Sequence, residues 1–281
     1  MSPQLSFEYF PPKTDDGKAR LYNVHEELRM LAPTFCSVTY GAGGSTRTNT
    51  LDVVMHLNSL GVAVAPHLSF GTDDASVIYE LLGTYRNAGI CRIVALRGDV
   101  QSGVSNTAQP VYAQKLVEFI REHFGNHFDV SVAAYPEVHP QATDLATDVS
   151  CLKRKLDAGA NRALTQFFYN PDAYFYFIDA CAKAGITTPI IPGIMPILNW
   201  RNLVRFASNC GADIPRWLRY RLESLENDEA GFRAFCRDFL ARFCQTLLAG
   251  GAPGLHVYTM NQAAPTLALC NDLGFATKAA A

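Results

Sequence analysis

The chain has 281 residues, 48% of them apolar and 18% charged, and a formal charge of −2, a balance that suits one large globular core and leaves no Lys/Arg cluster able to neutralise the phosphates of a nucleic acid. No uncharged apolar stretch of about 20 residues is present to span a membrane, and Met1-Ser2-Pro3-Gln4 does not open a signal peptide. The eight cysteines contain no Cys-x-x-Cys pair, the usage expected of reduced, buried thiols in a cytoplasmic protein rather than of disulfides or a zinc site.

Apolar runs with strand character fall at 5–10, 35–40, 62–68, 91–97, 129–135, 162–168, 189–193 and 255–258. Between them, 18–31, 46–60, 74–88, 110–124, 142–158, 171–184 and 199–208 carry helical spacing, and 262–273 supplies a last helix. Eight strands alternating with eight helices predict parallel pairing and a single-domain (β/α)8 TIM barrel over 1–281. Gly61, Gly89, Gly159 and Gly185 each follow a last helical turn, where a left-handed residue is wanted, and Pro171 suits a first turn. The segment 215–247 interrupts the alternation with an additional helical stretch over 226–247, expected to cover the barrel or to form a contact in a homo-oligomer.

In such a barrel the C-terminal strand ends line the active site, and most of the apolar runs here carry a polar residue at or near that end. In the first run Ser6 and Glu8 point one way and Leu5, Phe7 and Tyr9 the other, which puts Glu8 inside the barrel. Desolvation among Phe7, Tyr9 and Phe10 is expected to raise its pKa and make it a proton donor, the alternative being an ion-paired structural glutamate. Thr39, His67 and Gln166 stand near the corresponding ends of the second, third and sixth runs. The fourth ends on Arg97-Gly98-Asp99: the glycine lets a ligand approach the backbone, the arginine offers a fork for phosphate or carboxylate, and the aspartate is a base, an electrostatic partner for a cofactor, or the partner of Arg97 in a turn.

After the fifth run comes Tyr135-Pro136-Glu137-Val138-His139-Pro140, which suits a planar ligand as well as it suits a stiff turn. On the next helix Leu145, Val149, Leu152 and Leu156 form the apolar stripe, with Asp148, Cys151 and Lys155 on a neighbouring face that either grips ribose and phosphate or is solvated. On 199–208, Asn199 is the N-cap and Trp200, Leu203, Val204 and Ala207 the core stripe. Asn202 and Phe206 lie off it, the aromatic placed to stack on a flat ring or to pack at the periphery. No metal is expected, since there is no acidic cluster and no His-x-x-x-His pair. No Gly-x-Gly-x-x-Gly or Walker loop supports a Rossmann-type site, and Gly41-Ala42-Gly43-Gly44-Ser45 is a turn.

Taken together, Ser6-Phe7-Glu8-Tyr9-Phe10-Pro11-Pro12-Lys13, Ser37-Val38-Thr39-Tyr40-Gly41-Ala42, Ala65-Pro66-His67-Leu68, Leu96-Arg97-Gly98-Asp99, Ala134-Tyr135-Pro136-Glu137-Val138-His139-Pro140, Lys153-Arg154-Lys155, Thr165-Gln166-Phe167-Phe168 and Tyr258-Thr259-Met260-Asn261 closely resemble the bacterial-type 5,10-methylenetetrahydrofolate reductases, in matching order from residue 5 to 274. The resemblance implies an eight-stranded α/β barrel holding FAD, which reduces methylenetetrahydrofolate to 5-methyltetrahydrofolate with electrons from NADH or NADPH in ping-pong order. It implies Glu8 as the acid that opens the methylene bridge and Asp99 beside flavin and pterin. Thr39, His67, Arg97, Gly98, Tyr112, Ala113, Tyr135, His139, Asp148, Arg154 and Lys155 would line the FAD. Gln166 and Tyr258 would border the folate, with Asn202 and Gln262 on the same side and Phe206 stacked on whichever partner faces the flavin.

Three positions depart from that family: Cys151 stands where relatives carry Asn, Asn202 where they carry Gln, and Gln262 where they carry Arg. The first weakens an FAD contact, and the other two change how the folate and its glutamate tail are held. No match to the C-terminal regulatory domain of eukaryotic relatives is found, so inhibition by adenosylmethionine is not expected. Two other readings share the barrel: a flavin-free reductase that uses nicotinamide directly, and a pterin-binding barrel that presents methyl-folate to a corrinoid partner.

Overall fold

A computed structural model describes residues 3–40, 47–70, 75–97 and 112–275. Among them, strands β1 (Gln4–Tyr9), β2 (Phe35–Val38), β3 (Val64–Leu68), β4 (Arg92–Ala95), β5 (Asp129–Ala134), β6 (Arg162–Phe167), β7 (Ile190–Ile194) and β8 (Gly254–Tyr258) close in sequence order into a parallel barrel. Helices α1 (Asp15–Leu28), α2 (Arg47–Ser59), α3 (Ala75–Asn87), α4 (Ala113–Phe124), α5 (Leu145–Asp157), α6 (Pro171–Lys183) and α7 (Trp200–Cys210) fill the connections. Two more, α8 (Arg216–Ser224) and α9 (Glu229–Ala249), precede β8, and α10 (Ala263–Asp272) follows it. The expected (β/α)8 architecture is what forms.

The strands are buried on both faces, as parallel strands under helices must be, and parity separates two cores. Outward residues such as Phe7, Tyr9, Val38, Leu68, Val130 and Val257 pack beneath the helices. Inward ones, Phe35, Ala65, Val94, Leu164 and Ile191, form a small separate cluster inside the barrel. Gly61, Gly89, Gly159 and Gly185 all adopt positive φ, as helix-ending residues do.

The insertion differs from its expectation. In place of one stretch over 226–247 there is a helical hairpin, because Asp228 caps α9 by accepting from Gly231 N and the chain before it turns back into α8. Val204, expected in the α7 stripe, is exposed, while Trp200, Leu203 and Ala207 are buried as expected. Gly98, Asp99 and the Gly41–Ser45 turn lie outside the described residues.

The N-terminal end of the barrel is closed by charge rather than by apolar packing. Arg92, Asp129 and Arg162 begin three successive strands; Asp129 Oδ2 accepts from Arg92 Nη1 at 2.9 Å and from Arg162 Nη2. Both guanidinium groups lie over the Phe35 ring, at 5.3 and 5.8 Å from its centre. Removing the shared anion leaves two cations facing each other across one ring. Asp129→Ala is therefore expected to lower stability by about 2 kcal/mol, less than for a fully buried pair because these side chains keep some solvent. The check is a lower urea midpoint at unchanged slope; an unaltered midpoint would show the cluster to be idle.

Candidate active site

The C-terminal strand ends carry a polar cluster. Glu8 lies opposite Ser37 on β2 and Tyr258 on β8, and the two-residue period of β1 and β8 puts Ser6 and His256 one layer deeper. Glu8 is buried, as are Ser6, Ser37, His67 and His256. His256 Nδ1 sits 2.8 Å from Ser6 Oγ, and its Nε2 lies 3.5 Å from Ser37 Oγ and 3.6 Å from Glu8 Oε2. His67 Nε2 approaches the same carboxylate oxygen at 3.3 Å, an ion-pair distance without the alignment of a hydrogen bond.

The chemistry of Glu8 corrects the sequence expectation. Burial does push its pKa up, and is the largest single influence, but the charge of His67 together with contacts to both imidazoles outweighs it and holds the carboxyl down at about 2. The aromatic neighbours that were expected to raise it, Phe7 and Tyr9, face away into the outer core. The backbone around Glu8 is laced to the end of β8: Thr259 Oγ1 donates to Glu8 O at 2.7 Å, while Asn261 accepts from Phe10 N and donates to Phe10 O. Met260 and Asn261 make that turn with positive φ, a strained conformation for residues other than glycine.

A second group forms around the ends of β4 and β5. Arg97 Nη1 donates to Gln141 Oε1 at 2.5 Å. Tyr135 and His139 pack edge to face at 4.5 Å, and His139 N donates to Asp148 Oδ2 at 3.0 Å. Lys155 reaches back along α5 to donate to Ala133 O at 2.6 Å. Burial lowers its pKa to about 8 against the pull of Asp148, and burial raises that of Asp148. The Asp148 face of α5 is thus turned inward rather than solvated. Thr39 Oγ1 and His67 Nε2, on the neighbouring strands β2 and β3, are buried without a hydrogen-bond partner.

Next to that group Gln166 lines a pocket with Tyr135, Glu137 and Gly211, and Tyr258 donates to Thr165 O at 2.5 Å. Glu137 accepts from Asp213 N at 2.8 Å; burial raises its pKa to about 7. Gln262 is exposed beside the mouth at the start of α10.

Other expected residues stand apart. Phe206 lies six residues into α7, about 9 Å along its axis, half-buried under Arg205 at 5.2 Å. Trp200, at the first turn of that helix, is the aromatic nearer the strand ends. Asn202 is exposed, its N–H donating to the Asn199 cap. Tyr112 is 63% exposed ahead of α4, and Ala113 is buried. Arg154 is exposed and directs Nη2 at Cys151 Sγ, 3.0 Å away. Among the described residues no group of His, Cys, Asp or Glu is arranged to hold a metal ion, and no helix is long and apolar enough to cross a membrane.

His256 and Ser6 were missed in the sequence. Their signal is parity alone: residues 254, 256 and 258 share the inward face of β8, and Ser6 shares that of Glu8.

Because folding depresses the Glu8 pKa, its contribution to stability is present above the ordinary carboxylate value of 4.5 and is lost as pH falls from there towards 2. Glu8→Gln is expected to show a shallower fall of stability with pH in that window than the parent protein. Identical slopes in urea titrations across the window would mean that the imidazoles do not hold the charge.

The family model described as Methylenetetrahydrofolate reductase matches residues 1–274. The chain is 40% identical to 5,10-methylenetetrahydrofolate reductase of Salmonella typhimurium and 38% identical to that of Escherichia coli, in each case over 96% of this chain and 90% of the relative. It is 38% identical to methylenetetrahydrofolate reductase (NADH) 1 of Arabidopsis thaliana over 96% of its own length, and spans about half (48%) of that plant protein. A solved structure, titled as an uncharacterized protein from Clostridium thermocellum that binds two copies of 5-methyl-5,6,7,8-tetrahydrofolic acid, superposes with a TM-score of 0.69 at 18% identity, over 98% of this chain and 94% of the other. With a model match over nearly the whole chain and bacterial relatives this similar, the chain belongs to the methylenetetrahydrofolate reductase family.

Proposed function

We propose that this protein is an FAD-dependent reductase that converts 5,10-methylenetetrahydrofolate to 5-methyltetrahydrofolate with electrons from NADH or NADPH. The observation that carries the proposal is the buried carboxylate of Glu8 at the barrel mouth, held between two imidazoles. Folate reduction needs a proton at a bridge nitrogen, which opens the methylene bridge to an iminium whose carbon then accepts hydride. A buried carboxylate in contact with two imidazoles, from which a proton can be relayed to the substrate, suits that step.

The residues present fit FAD. One orphaned polar atom, Thr39 Oγ1, stands at the end of β2 where the edge of a flat heterocycle would satisfy it. Arg97 and Lys155 supply positive charge for a diphosphate, and Asp148 a carboxylate for a ribose hydroxyl. Arg154 and Tyr112 would reach the outer part of the cofactor, with Ala113, Tyr135, His139 and Gly98 along it. When bound, FAD would supply a carrier for hydride between nicotinamide and folate in two separate half-reactions. The orphaned Thr39 Oγ1 and the buried Asp148 favour this over the flavin-free and corrinoid alternatives, which require no such contacts.

In the resting site the Glu8 carboxylate is ionised. Folate over the mouth excludes water, and the proton passes from the imidazoles through Glu8 to the bridge nitrogen. Gln166 and Tyr258 border the pterin, Phe206 offers the stacking aromatic, and Asn202 and Gln262 stand towards the glutamate tail. Asp99, beyond the described residues, is assigned to the flavin side, where its charge would oppose reduction of the cofactor.

Purified protein should be yellow, and Glu8→Gln should keep its flavin and its oxidation of NADH or NADPH while folate reduction falls by about 10²–10⁴-fold, the usual contribution of a general acid. Stopped-flow measurement of each half-reaction separates the two. A colourless wild-type protein, or equal slowing of both halves in the variant, would overturn the proposal.

A further inference from the structure

The seam between β6 and β7 departs from regular pairing at the mouth. Leu164 pairs with Ile191, but the next pair is Phe167 with Gly193, so β6 spends three residues where β7 spends two. The extra residue makes a bulge over Thr165 and Gln166, a device that commonly re-aims a side chain beside a site. At the bulge Gly193 N donates to the hydroxyl of Thr165, at 2.8 Å. The Thr165 carbonyl is turned inwards, where it accepts from Tyr258 at 2.5 Å.

Position 193 admits no side chain: a Cβ there would stand 2.1 Å from Thr165 O and 2.6 Å from Tyr258 Oη. One fully buried threonine thus joins three strands, β6 through its own backbone, β7 through its side chain and β8 through its carbonyl. The same bulge orients Gln166. Phe167 N donates to Gln166 Oε1 at 3.0 Å, which fixes the oxygen end of the amide and leaves the NH2 end for the pocket that Gln166 lines.

We infer that Thr165 is a positioning residue for the folate side of the mouth: its hydroxyl holds β7 against the bulge, and through that hold it sets Tyr258 and Gln166 in register for the pterin. The ligand's identity rests on the proposed function; the geometric device does not. Thr165→Val keeps the shape of the side chain and removes the acceptor, stranding a buried N–H. The seam then relaxes, and the two ligand-facing side chains lose their common support. Thr165→Ser restores the hydroxyl.

The test is calorimetric binding of 5-methyltetrahydrofolate to the flavin-loaded protein and to both variants, with thermal unfolding and flavin content measured on each. Thr165→Val is expected to bind about 10-fold more weakly, equivalent to about 1.4 kcal/mol, and Thr165→Ser within about 3-fold of the parent. In turnover the loss in Thr165→Val should fall mainly on the KM for folate rather than on kcat. Unchanged affinity in Thr165→Val, or equal losses in both variants, would overturn the inference. Should Thr165→Val not fold, Thr165→Ala carries the same expectation. If the parent protein itself fails to bind the folate, the proposed function fails instead, and amide exchange at Gly193 still decides the device: faster in the valine variant supports it, unchanged overturns it.

Discussion

A carboxylate cannot remain charged inside a barrel unless something stabilises it, and for Glu8 that something is a pair of imidazoles from β3 and β8. The constraint reaches outwards from there. His256 is held by Ser6 and Ser37 at its two nitrogens and by the rings of Phe35 and Tyr258, so both serines face inwards on β1 and β2. The end of β8 must in turn be tied to β1, which Thr259 and Asn261 do at the cost of a strained turn. A change in the registry of β1 by one residue would send Glu8 into the outer core and Tyr9 into the mouth.

The barrel separates stability from chemistry along its axis. At the N-terminal end, charge is satisfied internally by Asp129 between two arginines above Phe35. In the middle, a small apolar cluster fills the interior. At the C-terminal end the Glu8 carboxylate lies between two imidazoles, and Thr39 Oγ1 is buried without a hydrogen-bond partner. A folded chain tolerates such an orphan poorly, and this one stands at the end where α/β barrels bind ligands.

The architecture was legible because each of its signals is local. Strand parity, helix-ending glycines and N-caps such as Asn199 act within a few residues, and all appear in the structure where the sequence put them. The inward direction of Glu8 was legible for the same reason. The sign of its pKa shift was not, because the partners that decide it, His67 and His256, come from β3 and β8, far from Glu8 in the chain. Helical spacing set Phe206 off the core stripe of α7, where it is half-buried, but spacing reports which face a residue takes and not how far along the axis it sits from the mouth. The bulge at Thr165 left no mark that a two-residue period could reveal, since it is an interruption of that period.

The central claim is that Glu8 is ionised in the resting site because His67 and His256 hold its charge. Isotope-edited infrared difference spectra, wild type minus Glu8→Gln, read the protonation of this one group. The account predicts an ionised carboxylate band at neutral pH that persists as the pH is lowered through 4.5, the ordinary carboxylate value. A protonated carboxyl band at neutral pH in the folate-free protein would contradict it.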